Sequence, residues 1–225
     1  MKQIIENDSQ PGNDWGVITS PSFKVSKEEL KPRSWVADNF YEDPDAVREY
    51  ALGQMYWDHD HGGVGWRTRK QFIFDGVKEK IESIMGMEIS NWSETYSICG
   101  VFQSGFAADG IPPLVYHADS QKWAAMVFLT PNAPVETGTK IVRNKKTKEF
   151  DTEAVDNITK IFENQDTFCD GTPYEDVDTF GNVYNRIVIF DGHCAHSSMG
   201  YFGSNIANGR LWQMFFFDTK AFLYL

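Results

Sequence analysis

Residues 185–196 read NRIVIFDGHCAH. Ile187 to Phe190 form an apolar run the length of a buried strand, Asp191-Gly192 supplies a turn, and His193 and His196 follow it. The chain on either side has the same texture. From residue 95 onward, short runs of Val, Ile, Phe, Tyr and Trp alternate with turn residues. They predict strands near 95–103, 113–119, 123–130, 138–143, 185–190, 196–202 and 210–217. This is an all-β signature of a sandwich, jelly roll or barrel. Residues 144–180 interrupt it as a charged, polar insertion with one short helical pattern at Val155, Ile158, Ile161 and Phe162.

Upstream, residues 1–34 are polar, carry Pro11, Pro21 and Pro32, and read as an arm or irregular edge. The stretch from Trp35 to Tyr41 is apolar enough for a strand. A helix start follows: Asp43 as cap, Pro44 in the first turn and Asp45 near the positive dipole end, with Val47, Tyr50 and Ala51 on one face and Gly53 at the exit. A second helix starts at Asp75, with Val77, Ile81, Ile84 and Met85 at helical spacing, and ends at Gly86. Between the helices lies HDHGGVGWRTR, a glycine-rich loop at 59–69. The reading is one domain over 1–225: an arm and supporting helices over 1–94, and a β core over 95–225 with the insertion at 144–180.

Composition narrows the function. The 225 residues hold 32 acidic and 21 basic side chains, for a formal net charge of -11, so the surface repels phosphate backbones and no duplex nucleic-acid partner is expected. Aromatics at 15% exclude a disordered chain. The three cysteines form no CxxC pair, and no apolar run approaches the length of a signal peptide or a membrane span. The expectation is a cytoplasmic protein with no membrane partner.

The chemistry lies in the histidines. Tyr116-His117-Ala118-Asp119 ends an apolar strand, and strand positions i and i+2 project to one face, so His117 and Asp119 present an imidazole and a carboxylate to one point. His193 and His196 are the candidates for a third donor. Two His and one carboxylate, with three coordination positions open, is the ligand set of non-haem Fe(II) oxygenases. Downstream, alternation puts Arg210 on the face of Trp212, Met214 and Phe216. A buried arginine needs an anionic partner, and its planar fork matches a carboxylate.

His117-x-Asp119, His196 and Arg210, set in strands over about 95–217, together resemble the 2-oxoglutarate- and Fe(II)-dependent dioxygenase superfamily. The segments WVADNFYEDPDAVREYAL and GVGWRT resemble the N-terminal part of one hydroxylase-like branch that includes phage and marine bacterial members. That branch often has Pro-Gly-x-Arg where this chain has Val64-Gly65-Trp66-Arg67. The resemblance implies a mainly β fold with flanking helices, a double-stranded β-helix of cupin-like jelly-roll type. It implies Fe(II) held by His117, Asp119 and His196, since the family ligand stands where His196 does. It implies 2-oxoglutarate as cosubstrate, clamped at its far carboxylate by Arg210, with Tyr96, Tyr116 and Ser198 as open candidates for a second clamp. With O2, the cosubstrate goes to succinate and CO2 as a small-molecule, amino-acid or peptidyl substrate is oxidised. Asp119 favours hydroxylation, since related halogenases lack that carboxylate.

Blander readings stand beside these. His117 and Asp119 also fit a surface pair, and Arg210 fits a structural ion pair. His59-Asp60-His61 fits a solvated loop better than a second metal site. Arg67 and Arg69 fit ion pairs as well as contact with an anionic substrate. Cys194 reads as a small buried residue rather than a nucleophile. The competing functions are a non-catalytic cupin-like protein binding a metal or small molecule, and a structural β-domain. Oligomeric state is open.

Overall fold

The computed structural model describes residues 32–58, 65–93, 95–96, 98–107, 114–153, 157–162 and 169–220. In chain order these form β1 (Ser34–Ala37), α1 (Pro44–Leu52), β2 (Trp57–Asp58), β3 (Trp66–Arg67), α2 (Val77–Met85), β4 (Ile89–Asn91), β5 (Phe102–Gly105), β6 (Trp123–Phe128), β7 (Thr139–Asn144), α3 (Asn157–Ile161), β8 (Tyr174–Phe180), β9 (Ile187–Asp191), β10 (His196–Ser198) and β11 (Arg210–Thr219). Most of the N-terminal arm, and His59, Asp60 and His61, lie outside the described residues.

The large sheet runs β1-β9-β6-β11-β5-β3-β2, with β4 also on β11, and the small sheet runs β10-β7-β8. Every pairing is antiparallel. Strand alternation gives the large sheet two apolar faces. Leu211, Phe215 and Phe217 of β11, Ile187 and Ile189 of β9, and Ala125 and Val127 of β6 pack with Phe40, Ala51, Val77 and Ile81 from the N-terminal segments. The alternate residues Trp212, Met214 and Phe216, Val188 and Phe190, and Ala124 and Phe128 pack with Ile141 of β7 and Phe180 of β8. One face is thus backed by helices, and the other meets the small sheet across the site.

The N-terminal helices follow the sequence closely. Asp43 accepts a hydrogen bond from the Ala46 amide at 2.9 Å, and Pro44 opens α1. The second helix starts at Val77 rather than Asp75, because Gly76 takes a left-handed φ of 82° and acts as its cap. No helix among the described residues is long and apolar enough to cross a membrane.

Four stretches differ from expectation. Strand β8 falls inside 144–180; only its ends, Tyr174 and Phe180, are buried, so the alternation that signals a strand is missing. Within 95–103 the chain turns over 98–100 and pairs from Phe102. Among the described residues of 113–119, only His117 bridges another strand. The 59–69 loop contributes β3, which pairs with the preceding β2 and with β5 and so extends the large sheet.

Candidate active site

The site begins with a backbone bridge. His117 and His196 face each other in an isolated antiparallel pair, each amide donating to the other's carbonyl at 3.1 and 2.8 Å. Paired residues project to the same side, so the rings meet with centroids 4.2 Å apart. Asp119 follows two residues later, and its amide donates to the Gly192 carbonyl at 2.7 Å. His117 Nε2 lies 3.7 Å from Asp119 Oδ1, and His196 Nε2 lies 3.5 Å from Asp119 Oδ2. One donor atom from each of the three residues lies within 4.8 Å of the others.

The donor set fits a divalent transition metal in its protonation. His117 Nδ1 lies 3.3 Å from the Val115 carbonyl and His196 Nδ1 lies 2.8 Å from the Cys194 carbonyl. A carbonyl oxygen only accepts, so each Nδ1 carries the proton and each Nε2 lone pair faces Asp119. Burial, reinforced by the neighbouring His196, pushes the His117 imidazole down to about 4, which leaves it neutral at neutral pH. Asp119 Oδ2 is buried with no hydrogen-bond partner. A buried, unsatisfied carboxylate oxygen is costly, and a cation would satisfy it.

The turn before His193 holds this arrangement. A Cβ on Gly192 would come within 2.5 Å of the Gln121 carbonyl oxygen and 3.2 Å of Asp119 Cβ, so only glycine lets Asp119 approach. Asp191 is buried and ion-paired on two sides, to Arg33 at 2.7 Å and Lys122 at 2.9 Å. Its Oδ1 accepts from the His193 amide at 3.1 Å. This network anchors the turn.

His193 points elsewhere: its Nδ1 is buried without a hydrogen bond, and the ring is outside the cluster that His196 joins. Burial and the nearby Asp191 push the Cys194 thiol up to about 12, so it stays protonated and is no nucleophile.

The three residues line a cavity of about 330 Å³ that also takes in Arg210. Arg210 is fully buried. Its Nη1 donates to Ser198 Oγ at 2.6 Å, and its Nη2 donates to the Gly138 carbonyl at 3.1 Å and to Thr139 Oγ1 at 3.2 Å. The guanidinium stacks 4.4 Å from the Trp212 ring centroid. No carboxylate among the described residues pairs with it, and its Nε has no partner. Burial brings it down to about 10, so it stays charged at neutral pH.

The three second-clamp candidates separate. Ser198 shares its face of β10 with His196 and touches Arg210. Tyr96 hydrogen-bonds Asp218 instead. Tyr116 stacks on Tyr174, centroids 4.8 Å apart, in a separate apolar cluster. Sequence reasoning missed Thr139, which pairs with Ser198 across β7 and β10, and Tyr201, whose ring lies 5.7 Å from the guanidinium. Only the spacing His196-x-Ser198 carried a usable signal.

No sequence-family model matches the chain, and no curated protein matches its sequence. Solved structures do. HygX from Streptomyces hygroscopicus, determined with nickel and 2-oxoglutarate bound, superposes with a TM-score of 0.51 at 10% identity, covering 85% of this chain and 86% of that one. A 2OG-Fe(II) oxygenase family oxidoreductase from Burkholderia pseudomallei gives 0.47 at 7% identity, over 82% and 83%. A Pseudomonas putida prolyl-4-hydroxylase gives 0.43 at 11%, over 82% and 91%. What the chain shares with HygX is the fold: the double-stranded β-helix of the 2-oxoglutarate–Fe(II) oxygenases.

Proposed function

We propose that the protein is an Fe(II)- and 2-oxoglutarate-dependent oxygenase that hydroxylates a small-molecule or amino-acid/peptidyl substrate. One juxtaposition carries the reading. Two imidazoles with Nε2 lone pairs turned toward one carboxylate share a cavity with a buried arginine that no carboxylate among the described residues pairs. His117, Asp119 and His196 would hold iron, leaving positions open for a bidentate cosubstrate and O2. Iron, when bound, supplies the activation of dioxygen that couples decarboxylation of the cosubstrate to substrate oxidation. The chain's residues do the rest. Val115 and Cys194 fix the imidazole tautomers through their carbonyls. Arg210 takes the far carboxylate of 2-oxoglutarate in its fork, with Ser198 and Thr139 holding the guanidinium in plane. Trp212, Met214 and Phe216 keep the cavity wall apolar and limit water. The three widely spaced cysteines, all free thiols, support a reducing, cytosolic setting.

The test is anaerobic. Fe(II) and then 2-oxoglutarate are added, and the weak visible charge-transfer band of the chelate is sought. The band is expected in the wild type and absent in His196→Ala. Iron uptake with no band would favour a non-catalytic metal-binding cupin, and uptake of neither would favour a structural β-domain.

A further inference from the structure

Arg67 is the second arginine lining the cavity, and the reading above gives it no task. It stands on β3 opposite Gln103 of β5, which stands opposite Trp212 of β11. Residues in register across antiparallel strands share a face, so Arg67 and Gln103 project to the side that carries Trp212 and Arg210. At about 4.8 Å per strand, Arg67 sits roughly 10 Å along the sheet from the ring on which Arg210 stacks.

Its hydrogen bonds go to a neutral group. Nε and Nη2 donate to Gln103 Oε1 at 3.2 and 3.0 Å. Among the described residues no carboxylate pairs with it, whereas Arg33, Arg143 and Arg186 each find one within 2.8 Å. Burial pulls the Arg67 guanidinium below its ordinary value, so the fold desolvates this cation without compensating it with an acid. The amide fixes one edge of the fork, and the remaining N–H groups are a planar donor set suited to a carboxylate. The wall of the same cavity includes the apolar side chains of Ile98, Val115 and Met214. The net charge of -11 works against polyanionic ligands and leaves a single carboxylate acceptable.

We propose that Arg67 is the specificity residue of this site, and that the oxidised substrate is a small molecule with an apolar body and a carboxylate that docks on Arg67. The inference rests on the oxygenase reading, in which Arg210 belongs to the cosubstrate.

The experiment measures binding of matched acid and amide probes to protein loaded with Ni(II) and 2-oxoglutarate. The pairs are 3-phenylpropionate with its amide, hexanoate with its amide, and N-acetyl-leucine with its amide; phenyl phosphate is run beside them. At least one acid is expected to bind about tenfold or more tighter than its amide, and Arg67→Gln to reduce that ratio below about twofold. Arg67→Lys should keep part of the preference, since charge survives without the fork, and it decides the matter if Arg67→Gln fails to fold. Affinity for 2-oxoglutarate should stay within about twofold in both variants, because Arg210 is untouched. The proposal is overturned if no acid is preferred, if Arg67→Gln keeps the preference, or if phenyl phosphate outbinds every carboxylate. A large loss of 2-oxoglutarate affinity in Arg67→Gln would also overturn it, by moving Arg67 to the cosubstrate. Failure of the oxygenase reading shows earlier and separately, as wild-type protein that takes up no 2-oxoglutarate. The acid–amide comparison on metal-free protein then still decides the role of Arg67.

Discussion

At Arg210 a full positive charge leaves water with two side-chain oxygens, one carbonyl and an indole face as company. Such an environment favours an incoming anion, because the guanidinium's desolvation cost is already met in the folded state. Arg210→Met should therefore weaken 2-oxoglutarate by roughly 30-fold or more, the scale of a lost buried charge pair, with Ni(II) affinity unchanged. Ser198→Ala should cost only a few-fold, about 1 kcal/mol for one hydrogen bond. Anaerobic titration of both variants reads this directly. For the metal, His117→Ala and His196→Ala should each abolish Ni(II) uptake in calorimetry, and His193→Ala should retain it. Loss with His193→Ala alone would exchange the two histidines' roles.

Strand β11 shows how an element serves two masters. One face carries Arg210 and Trp212 to the cavity, and the other carries Leu211, Phe215 and Phe217 to the helices. Gln213 interrupts the second set, fully buried. Its Oε1 accepts from the Tyr41 hydroxyl at 2.5 Å, and its Nε2 donates to the carbonyls of Phe72 at 2.6 Å and Gly100 at 3.1 Å. Gln213→Leu keeps the volume and orphans these groups, at about 1–3 kcal/mol for each group left buried and unpaired. Thermal unfolding should fall by several degrees, at about 2–4 °C per kcal/mol for a chain this size. The cavity face of β11 was legible because Trp212, Met214 and Phe216 follow Arg210 at strand spacing within a long apolar run. Strand β8 was not, since its centre meets solvent and only its partner β7 makes it a strand. The same contrast holds for the site. His117, Asp119, His196 and Ser198 sit at i, i+2 spacings that strand geometry translates into a shared face. Tyr96 and Tyr116 carry the right hydroxyl, but their partners, Asp218 and Tyr174, are remote in sequence and could not be anticipated.

On the scale of the whole molecule, Asp218 ties separate segments together. It accepts from Asn91 of β4 at 2.8 Å, from the Tyr96 hydroxyl and from the Lys122 amide at 3.1 Å. Burial raises its pKa, but these hydrogen bonds outweigh burial and leave it lowered from its ordinary 3.8. A folded value below the unfolded one gives stability that is full above about pH 4 and fades as the pH falls through the folded value. Acid unfolding of Asp218→Asn should accordingly show a shallower loss below pH 4 than the wild type, with lower stability at pH 7.

The backbone bridge between His117 and His196 joins two stretches that lie far apart along the chain. An ion gripped from both sides of that bridge would act as a removable cross-link, closing a long loop of chain with three bonds. The folded population would then track the supply of free metal: saturation a thousandfold above the dissociation constant adds about 4 kcal/mol by mass action. Under the proposed function, scarce metal would then lower the folded population as well as the activity. Slower amide exchange at His117 and Asp119 upon Ni(II) addition would be the first sign of that coupling.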